Sequence, residues 1–482
     1  MATRKELVEA FSFGRRRLVT AFLSGAPGAR EAEPARPGRS IVGGAVLAVL
    51  VAAGVAIAGV LAPAAPDNWM RRGLVVSKDT GAAYVVVGDD PELRPVVNAT
   101  SARLILDGDA EPTLVEQEAI DEQRIGDDLG IVDAPASLPA PDRLVDSGWT
   151  ACTAAGAGIR LRIAERPDLL PAGARGVTVS NGGELFVVVP SDELSGGGAV
   201  LLPMGAPGDQ TDNLLAALGL QTTAAAIPVD RAWIDLFPVG APLDWRSFGL
   251  TGYGSTPEYA AGAIGAHEIG DLLMTGEERL LLTESGPVAL TEFAATVYRN
   301  VVAPDDRVVA PEVVDTAPRV PRGDAVLEGA GWPATVPDAA VDEPCAELVA
   351  EAGAVPAVRL GSPGASAGAA DVLAGERDVD VVPGRGAHVL SGGWTDPDRG
   401  APYLVDAQGR ANRLVGDDAA AALGYGDHRA VVVPETWLRL LGCGVTLSRE
   451  AALSPPEDEA GSSVSGGCGD RPEADDAATW RR

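Results

Sequence analysis

The sequence predicts an α+β protein in which a single N-terminal transmembrane helix is followed by an elongated exported region of four α/β repeats around a β-rich central domain. Three observations predict it. Residues 41–62, IVGGAVLAVLVAAGVAIAGVLA, form a run of apolar and small residues without a charge. Beyond it, a β-rich run followed by a turn and a segment of helical spacing recurs four times, with the runs at 84–87 (YVVV), 186–189 (FVVV), 280–282 (LLL) and 403–405 (YLV). The stretches between them mix β-rich runs such as 177–179 (VTV) and 381–382 (VV) with Gly, Pro and Asp turns, which suits sheets better than a helical bundle.

A helix over 41–62 measures roughly 33 Å at about 1.5 Å per residue, enough to cross a hydrocarbon core of about 30 Å. The chain has no second run like it. The first forty residues carry Arg4, Lys5, Arg15, Arg16, Arg17, Arg30, Arg36 and Arg39 against Glu6, Glu9, Glu31 and Glu33. The positive-inside rule therefore keeps this head in the cytoplasm and exports the rest: a single-pass plasma-membrane protein with a periplasmic C-terminal region. The alternative is a cleaved signal peptide ending at Ala62-Pro63-Ala64. Retention as an anchor is favoured, because the run exceeds the roughly 7–15 residues of a signal core and a long basic segment precedes it. Within the run, Gly44, Ala48, Ala52 and Ala56 recur every four residues and give one helical face small enough for another transmembrane helix to approach closely. In so Ala-rich a chain the same stripe also arises by chance.

The head and its linker occupy residues 1–40. Leu7, Val8, Phe11, Leu18, Val19, Phe22 and Leu23 fall at mostly helical spacing with arginines between them, an amphipathic basic segment suited either to anionic inner-leaflet lipid or to a cytoplasmic partner. Past the membrane, Trp69 sits where an interfacial aromatic would. Repeats are expected at 69–118, 181–247, 248–310 and 396–452, and the central domain at 119–180 and 311–395. An acidic, Gly/Ser-rich tail fills 453–482.

The clearest repeat pair sets 227–243, IPVDRAWIDLFPVGAPL, against 432–447, VVPETWLRLLGCGVTL. Trp233 matches Trp437, and Leu236 with Leu440, Gly240 with Gly444 and Leu243 with Leu447 follow in the same register. Cys152 and Cys345 each follow a β-rich run at similar distance and precede another repeat. The exported region thus reads as two halves, each of repeat, cysteine-bearing segment and repeat, with chance similarity in Ala/Val-rich sequence as the alternative.

With 482 residues, 46% of them hydrophobic, the chain can bury several cores. Its 38 basic and 68 acidic residues give a net charge of -30, and the basic head makes the remainder more negative still. Such charge argues against nucleic acid or anionic lipid as a ligand of the exported part, and solubility explains it well enough. Cys152, Cys345, Cys443 and Cys468 all lie beyond the span. An even count in an oxidising compartment reads as two disulfides. Of three possible pairings, the closeness of Cys443 to Cys468 leaves Cys152 with Cys345 as the natural complement. Zinc is disfavoured, since there is no C-x-x-C and the three histidines, His267, His388 and His428, are scattered.

Catalytic motifs are thin. A P-loop needs G-x-x-x-x-G-K-[ST], and the only lysines, Lys5 and Lys78, lack that setting. G-x-S-x-G occurs once, around Ser366 between Gly364 and Gly368, after a strand-like stretch; His388 or His428 would have to serve as its base. Among 59 glycines, accident explains the match better. His267-Glu268 lacks the second histidine of H-E-x-x-H, and Asp89-Asp90 and Asp417-Asp418 lack calcium-loop spacing. No catalytic or metal residue is assigned.

The stretch 73–106, GLVVSKDTGAAYVVVGDDPELRPVVNATSARLIL, resembles the first exported repeat of the EccB family, the membrane-anchored component of actinobacterial type VII (ESX) secretion systems. Its LRPVVNATSARLIL portion is the most specific signal. The head is similar to that family's start at Arg16-Arg17-Leu18 and Ala21, and departs from it at Glu6 and Ser12. The resemblance implies a core subunit of a large inner-membrane complex, assembled with a motor ATPase of the EccC type, EccD, EccE and a mycosin protease, and oligomeric within it. It also implies repeats like a cell-wall-binding module, hence possible peptidoglycan contact, and an ATPase activity with ATP bound outside the membrane. No nucleotide motif visible in the residues supports that activity.

Overall fold

The computed structural model describes residues 4–24, 66, 68–88, 91–191, 198–259, 266–302, 306–308, 314, 317, 318, 320, 327, 329–338 and 341–456. The expected span 41–62, with Gly44, Ala48, Ala52 and Ala56, lies outside them, as do Cys468 and most of the acidic tail. Among the described residues no helix is long and apolar enough to cross a membrane. The chain divides into two units, Met1–Pro66 and Asp67–Arg482. In the first, the head forms one helix, Arg4–Ser24, with Val8, Phe11, Phe13, Leu18 and Val19 exposed along it.

The second unit is mixed α+β. Its first sheet comprises β1 (Gly73–Ser77), β2 (Ala83–Val87), β3 (Glu92–Pro95) and β4 (Pro112–Val115), in the order β3-β2-β1-β4. The hairpins are antiparallel and β4 runs parallel to β1. A parallel return requires a crossover, supplied here by the helix Ala99–Ile105. Asn98 starts that helix, its side chain accepting from the Ser101 amide at 2.8 Å, and Leu104 and Ile105 are buried below it.

After β5 (Trp149–Cys152), β6 (Ile159–Ile163) and β7 (Leu169–Pro171), the second such sheet holds β8 (Val177–Asn181), β9 (Glu184–Ser191), β10 (Gly198–Pro203) and β11 (Ile227–Pro228), ordered β10-β9-β8-β11. A third holds β12 (Leu272–Thr275), β13 (Glu278–Leu282), β14 (Pro287–Ala289) and β15 (Asp306–Val308), ordered β14-β13-β12-β15. After β16 (Cys345–Val349), β17 (Ala357–Pro363) and β18 (Arg377–Val381) comes the fourth, with β19 (Ala387–Gly392), β20 (Ala401–Val405), β21 (Arg410–Leu414), β22 (Val431–Pro434) and β23 (Gly442–Leu447), ordered β22-β19-β20-β21-β23. In all four the first strand sits between an antiparallel second and a parallel fourth. The runs at 84–87, 186–189, 280–282 and 403–405 lie in the second strand of each. The fourth sheet adds β23 parallel to β21, and isolated parallel bridges Leu93–Ile125 and Leu201–Val239 mark the same edge in the first two.

Two of these sheets begin ahead of the expected boundaries. β8 starts at Val177 and β19 at Ala387, against expected starts of 181 and 396. The physical reason is that each first strand follows the central sheet after only a tight turn, closed by Arg175 N–H to Ala172 O and by Arg385 N–H to Val382 O. No polar linker marks the change of sheet.

The central sheet has the order β18-β6-β5-β16-β17-β7 and draws three strands from each half of the chain. β5 and β16 pair antiparallel with Cys152 directly opposite Cys345. β18 crosses to pair parallel with β6, and β7 crosses to pair antiparallel with β17. One core lies between this sheet and the second and fourth sheets, and Trp149, Trp233 and Trp437 are wholly buried in it. Another core joins the second sheet to the third, and another joins the first to the fourth. The matched glycines both mark close approaches: a Cβ on Gly240 would stand 2.6 Å from Ala330 O, and one on Gly444 would run into the Asn412 side chain.

Candidate functional site

The disulfide joins Cys152 to Cys345 across a sequence separation of 193, with both cysteines buried. It sits in a cross-strand row. Successive strand residues face opposite sides of a sheet, so the register places Asp378, Arg160, Cys152, Cys345 and Gly361 side by side across five strands. The neighbouring row holds Asp380, Arg162, Thr150, Glu347 and Arg359. Arg160 Nε meets Asp378 at 2.8 Å and its Nη2 meets Asp371 at 3.0 Å; these hydrogen bonds, Asp371 first, hold the guanidinium still more firmly protonated. Arg162 reaches Asp380 at 3.5 Å. Glu347 is buried, which pushes its carboxyl above the usual range, with Arg359 at 4.0 Å opposing the effect.

A second cluster gathers two histidines that sequence reading leaves apart. His388 on β19 and His428, just before β22, come together because those strands are parallel neighbours. Their Nδ1 atoms are 3.2 Å apart, and His428 Nε2 lies 3.1 Å from Asp146. His388 stacks on Tyr425, whose hydroxyl donates to Pro139 O at 2.7 Å. His428 Nε2 faces the Asp146 carboxylate, and the Nδ1–Nδ1 contact is a hydrogen bond when one of the two rings carries its proton there. Burial, with His428 adding, pushes His388 down to about 4. His267 stands elsewhere, 3.4 Å from Asp271.

The G-x-S-x-G match leads from β17 through turns to β18, without the helix a nucleophile elbow requires. Ser366 Oγ donates to Asp168 at 2.6 Å and accepts from Arg162 at 2.7 Å, so its described partners are a carboxylate and a guanidinium. Lys78 pairs with Glu116 at 2.9 Å. Among the described residues no three His, Cys, Asp or Glu side chains form a metal-binding group. Cys443 is exposed and has no disulfide partner among the described residues. Sequence reading overlooks Arg160, Arg162, Asp168 and Asp371. The signal for the arginines is present, since IRLRI of β6 and RDVDV of β18 alternate opposite charges at the period of a strand.

Sheets of one recurring strand order, joined through a disulfide-tied central sheet, define a modular α+β protein. The chain belongs to the EccB family of type VII secretion: residues 1–458 match the family described as type VII secretion system ESX-1, transport TM domain B. It is 25% identical over 450 residues to the ESX-1 secretion system ATPase EccB1 of Mycolicibacterium smegmatis (strain MKD8), covering 86% of this chain and 87% of that one. Its fold matches a chain of an intact ESX-5 inner membrane complex at TM-score 0.60 and 24% identity, over 95% of this chain and 96% of the other. It matches the EccB3 dimer from the ESX-3 core complex at TM-score 0.60 and 22% identity, over 79% and 99%. The chain is a component of the type VII secretion membrane complex.

Proposed function

We propose that this chain is a structural and assembly subunit that links cytoplasmic and membrane partners to an exported repeat region. The family match over residues 1–458 carries the reading. The charge of the head supports a cytoplasmic N-terminus, and the uncharged run 41–62 supports one crossing. The shared strand order supports four repeats in two duplicated halves, and the crossing of β7 and β18 supports a central domain built from both. The partners are the other membrane subunits of the EccC, EccD and EccE types and the mycosin protease, with further copies of this chain. Peptidoglycan contact by the repeats belongs to the same reading.

The span is a joint as well as an anchor. Replacing Gly44, Ala48, Ala52 and Ala56 by Leu removes the small face and reduces co-purification with the other membrane subunits; unchanged yield of the complex overturns the joint. Cys443 pairs with Cys468 and fastens the acidic tail, so non-reducing peptide mapping recovers that pair, and unlinked thiols at both positions refute it.

A second reading, ATP hydrolysis, is favoured by the names of curated relatives, the M. smegmatis protein among them. Turnover that survives rigorous purification of the full chain and is abolished by a defined point substitution would establish it. Activity that separates from the protein leaves the scaffold.

A further inference from the structure

Residues 364–376, between β17 and β18, cross directly over the disulfide. Ala367, Ala369 and Val372 turn inward and form one small apolar cluster with Cys152 and Cys345, against which Leu169 packs, while most of the chain around them is exposed. We propose that this segment is a latched lid whose release, at Ser366, admits dithiol reductants to the Cys152–Cys345 bond. The lid thereby sets the lifetime of the crosslink between the two halves of the chain.

The two ends of the segment are fastened differently. At the β18 end, Gly158 N–H donates to Val372 O at 3.1 Å and Ile159 N–H to Glu376 O at 3.1 Å, which extends the sheet's own backbone bonding. In the middle of the segment Arg160 donates to Gly368 O, between Ala367 and Ala369, and to Asp371. At the β17 end one backbone bond, Gly364 N–H to Asp168 O at 2.9 Å, is followed by a side-chain latch. Asp168 Oδ2 accepts from both the amide and the hydroxyl of Ser366, at 2.8 and 2.6 Å, while Arg162 donates to the same hydroxyl. These bonds hold the Asp168 carboxyl below its usual range, Ser366 being the main cause. Gly364 permits the approach, since a Cβ there would run into Asp168. Two alanines offer little apolar area to keep the lid shut, so the hydrogen bonds to a charged carboxylate dominate at this end. Opening it leaves the rest of the sheet bonded.

The chemistry is thiol–disulfide exchange. A thiolate of dithiothreitol attacks one cysteine sulfur, the S–S bond breaks, and the other cysteine leaves as a thiolate that takes up a proton. The reagent's second thiol then closes on the mixed disulfide, releasing the remaining cysteine thiol and cyclic oxidised reagent. Such attack needs access to a sulfur, and the lid removes that access.

Reduction of the full-length protein by dithiothreitol, followed by alkylation and mass spectrometry of the Cys152 and Cys345 peptides, tests the proposal. Ser366→Ala and Asp168→Asn accelerate reduction at least tenfold at an unchanged thermal midpoint, whereas Asp398→Asn, which breaks an exposed pair with Arg429 outside the lid, leaves the rate alone. Ser366→Ala removes only an exposed hydroxyl, so it decides the matter even where Asp168→Asn unfolds the protein. Wild-type rates in the latch variants, or equal acceleration by Asp398→Asn, overturn it.

Discussion

The indole N–H of Trp437 donates to the carbonyl oxygen of Leu236 at 3.1 Å, across 201 residues of chain. Its counterpart Trp233 donates to Ala151 O at 2.9 Å. Two tryptophans in matching sequence register therefore reach different targets: Trp233 ties the short helix Arg231–Ile234 to the central sheet, and Trp437 ties the short helix Glu435–Leu438 to the segment just after Trp233. Both are fully buried in one core.

Trp437→Phe keeps much of the ring volume but leaves Leu236 O without its donor in a buried place, which costs about 1–3 kcal/mol. Trp437→Ala adds a cavity and costs about 3–5 kcal/mol. Urea unfolding followed by circular dichroism gives this order, with the alanine variant having the lower midpoint. Equal midpoints for the two variants would show that the hydrogen bond, and not the packing, holds the junction.

Acid weakens the His388 cluster. In the unfolded chain His388 binds a proton near its ordinary value of 6.5, whereas in the folded protein, buried beside His428 and stacked on Tyr425, it takes one up only near 4. Between those values the unfolded state holds more protons, so the contribution is full above about pH 6.5 and is lost as pH falls towards 4. The loss is on the order of 2–3 kcal/mol. Urea midpoints measured from pH 7.5 to 4.5 fall more steeply for the wild type than for His388→Gln, which cannot charge. Parallel curves refute the assignment.

Removing the disulfide with Cys152→Ala and Cys345→Ala together frees a long closed loop, for which chain entropy gives a loss of about 5 kcal/mol. The antiparallel pairing of β5 with β16 keeps its backbone bonds, so the double variant retains its sheet content below a lowered unfolding midpoint. A midpoint equal to wild type means that the packing around the seam alone fixes the two halves.

Much of this was legible in the residues because it is local. Apolar β-rich runs mark the second strand of each of the four recurring sheets, and the closeness of Cys443 to Cys468 singles out Cys152 with Cys345. The sheet boundaries at Val177 and Ala387 were hidden because a tight turn, with no polar linker, separates two strands that pair with different partners. The latch was hidden for a related reason: Asp168 and Ser366 are 198 residues apart and meet only after β7 has crossed to β17.

The sequence by itself determined the charge asymmetry about an apolar run, the recurring strand segments, the matched tryptophans and glycines, and the family to which they belong, since periodicity and composition are properties of neighbouring residues. Only the tertiary structure decided which strands of one half pair with those of the other, that the Nδ1 atoms of His388 and His428 meet at 3.2 Å between parallel strands, and that a Gly/Ala/Ser loop lies over the disulfide. Those outcomes depend on long-range register, where hydrogen-bond pairing and burial choose among partners that no local pattern distinguishes.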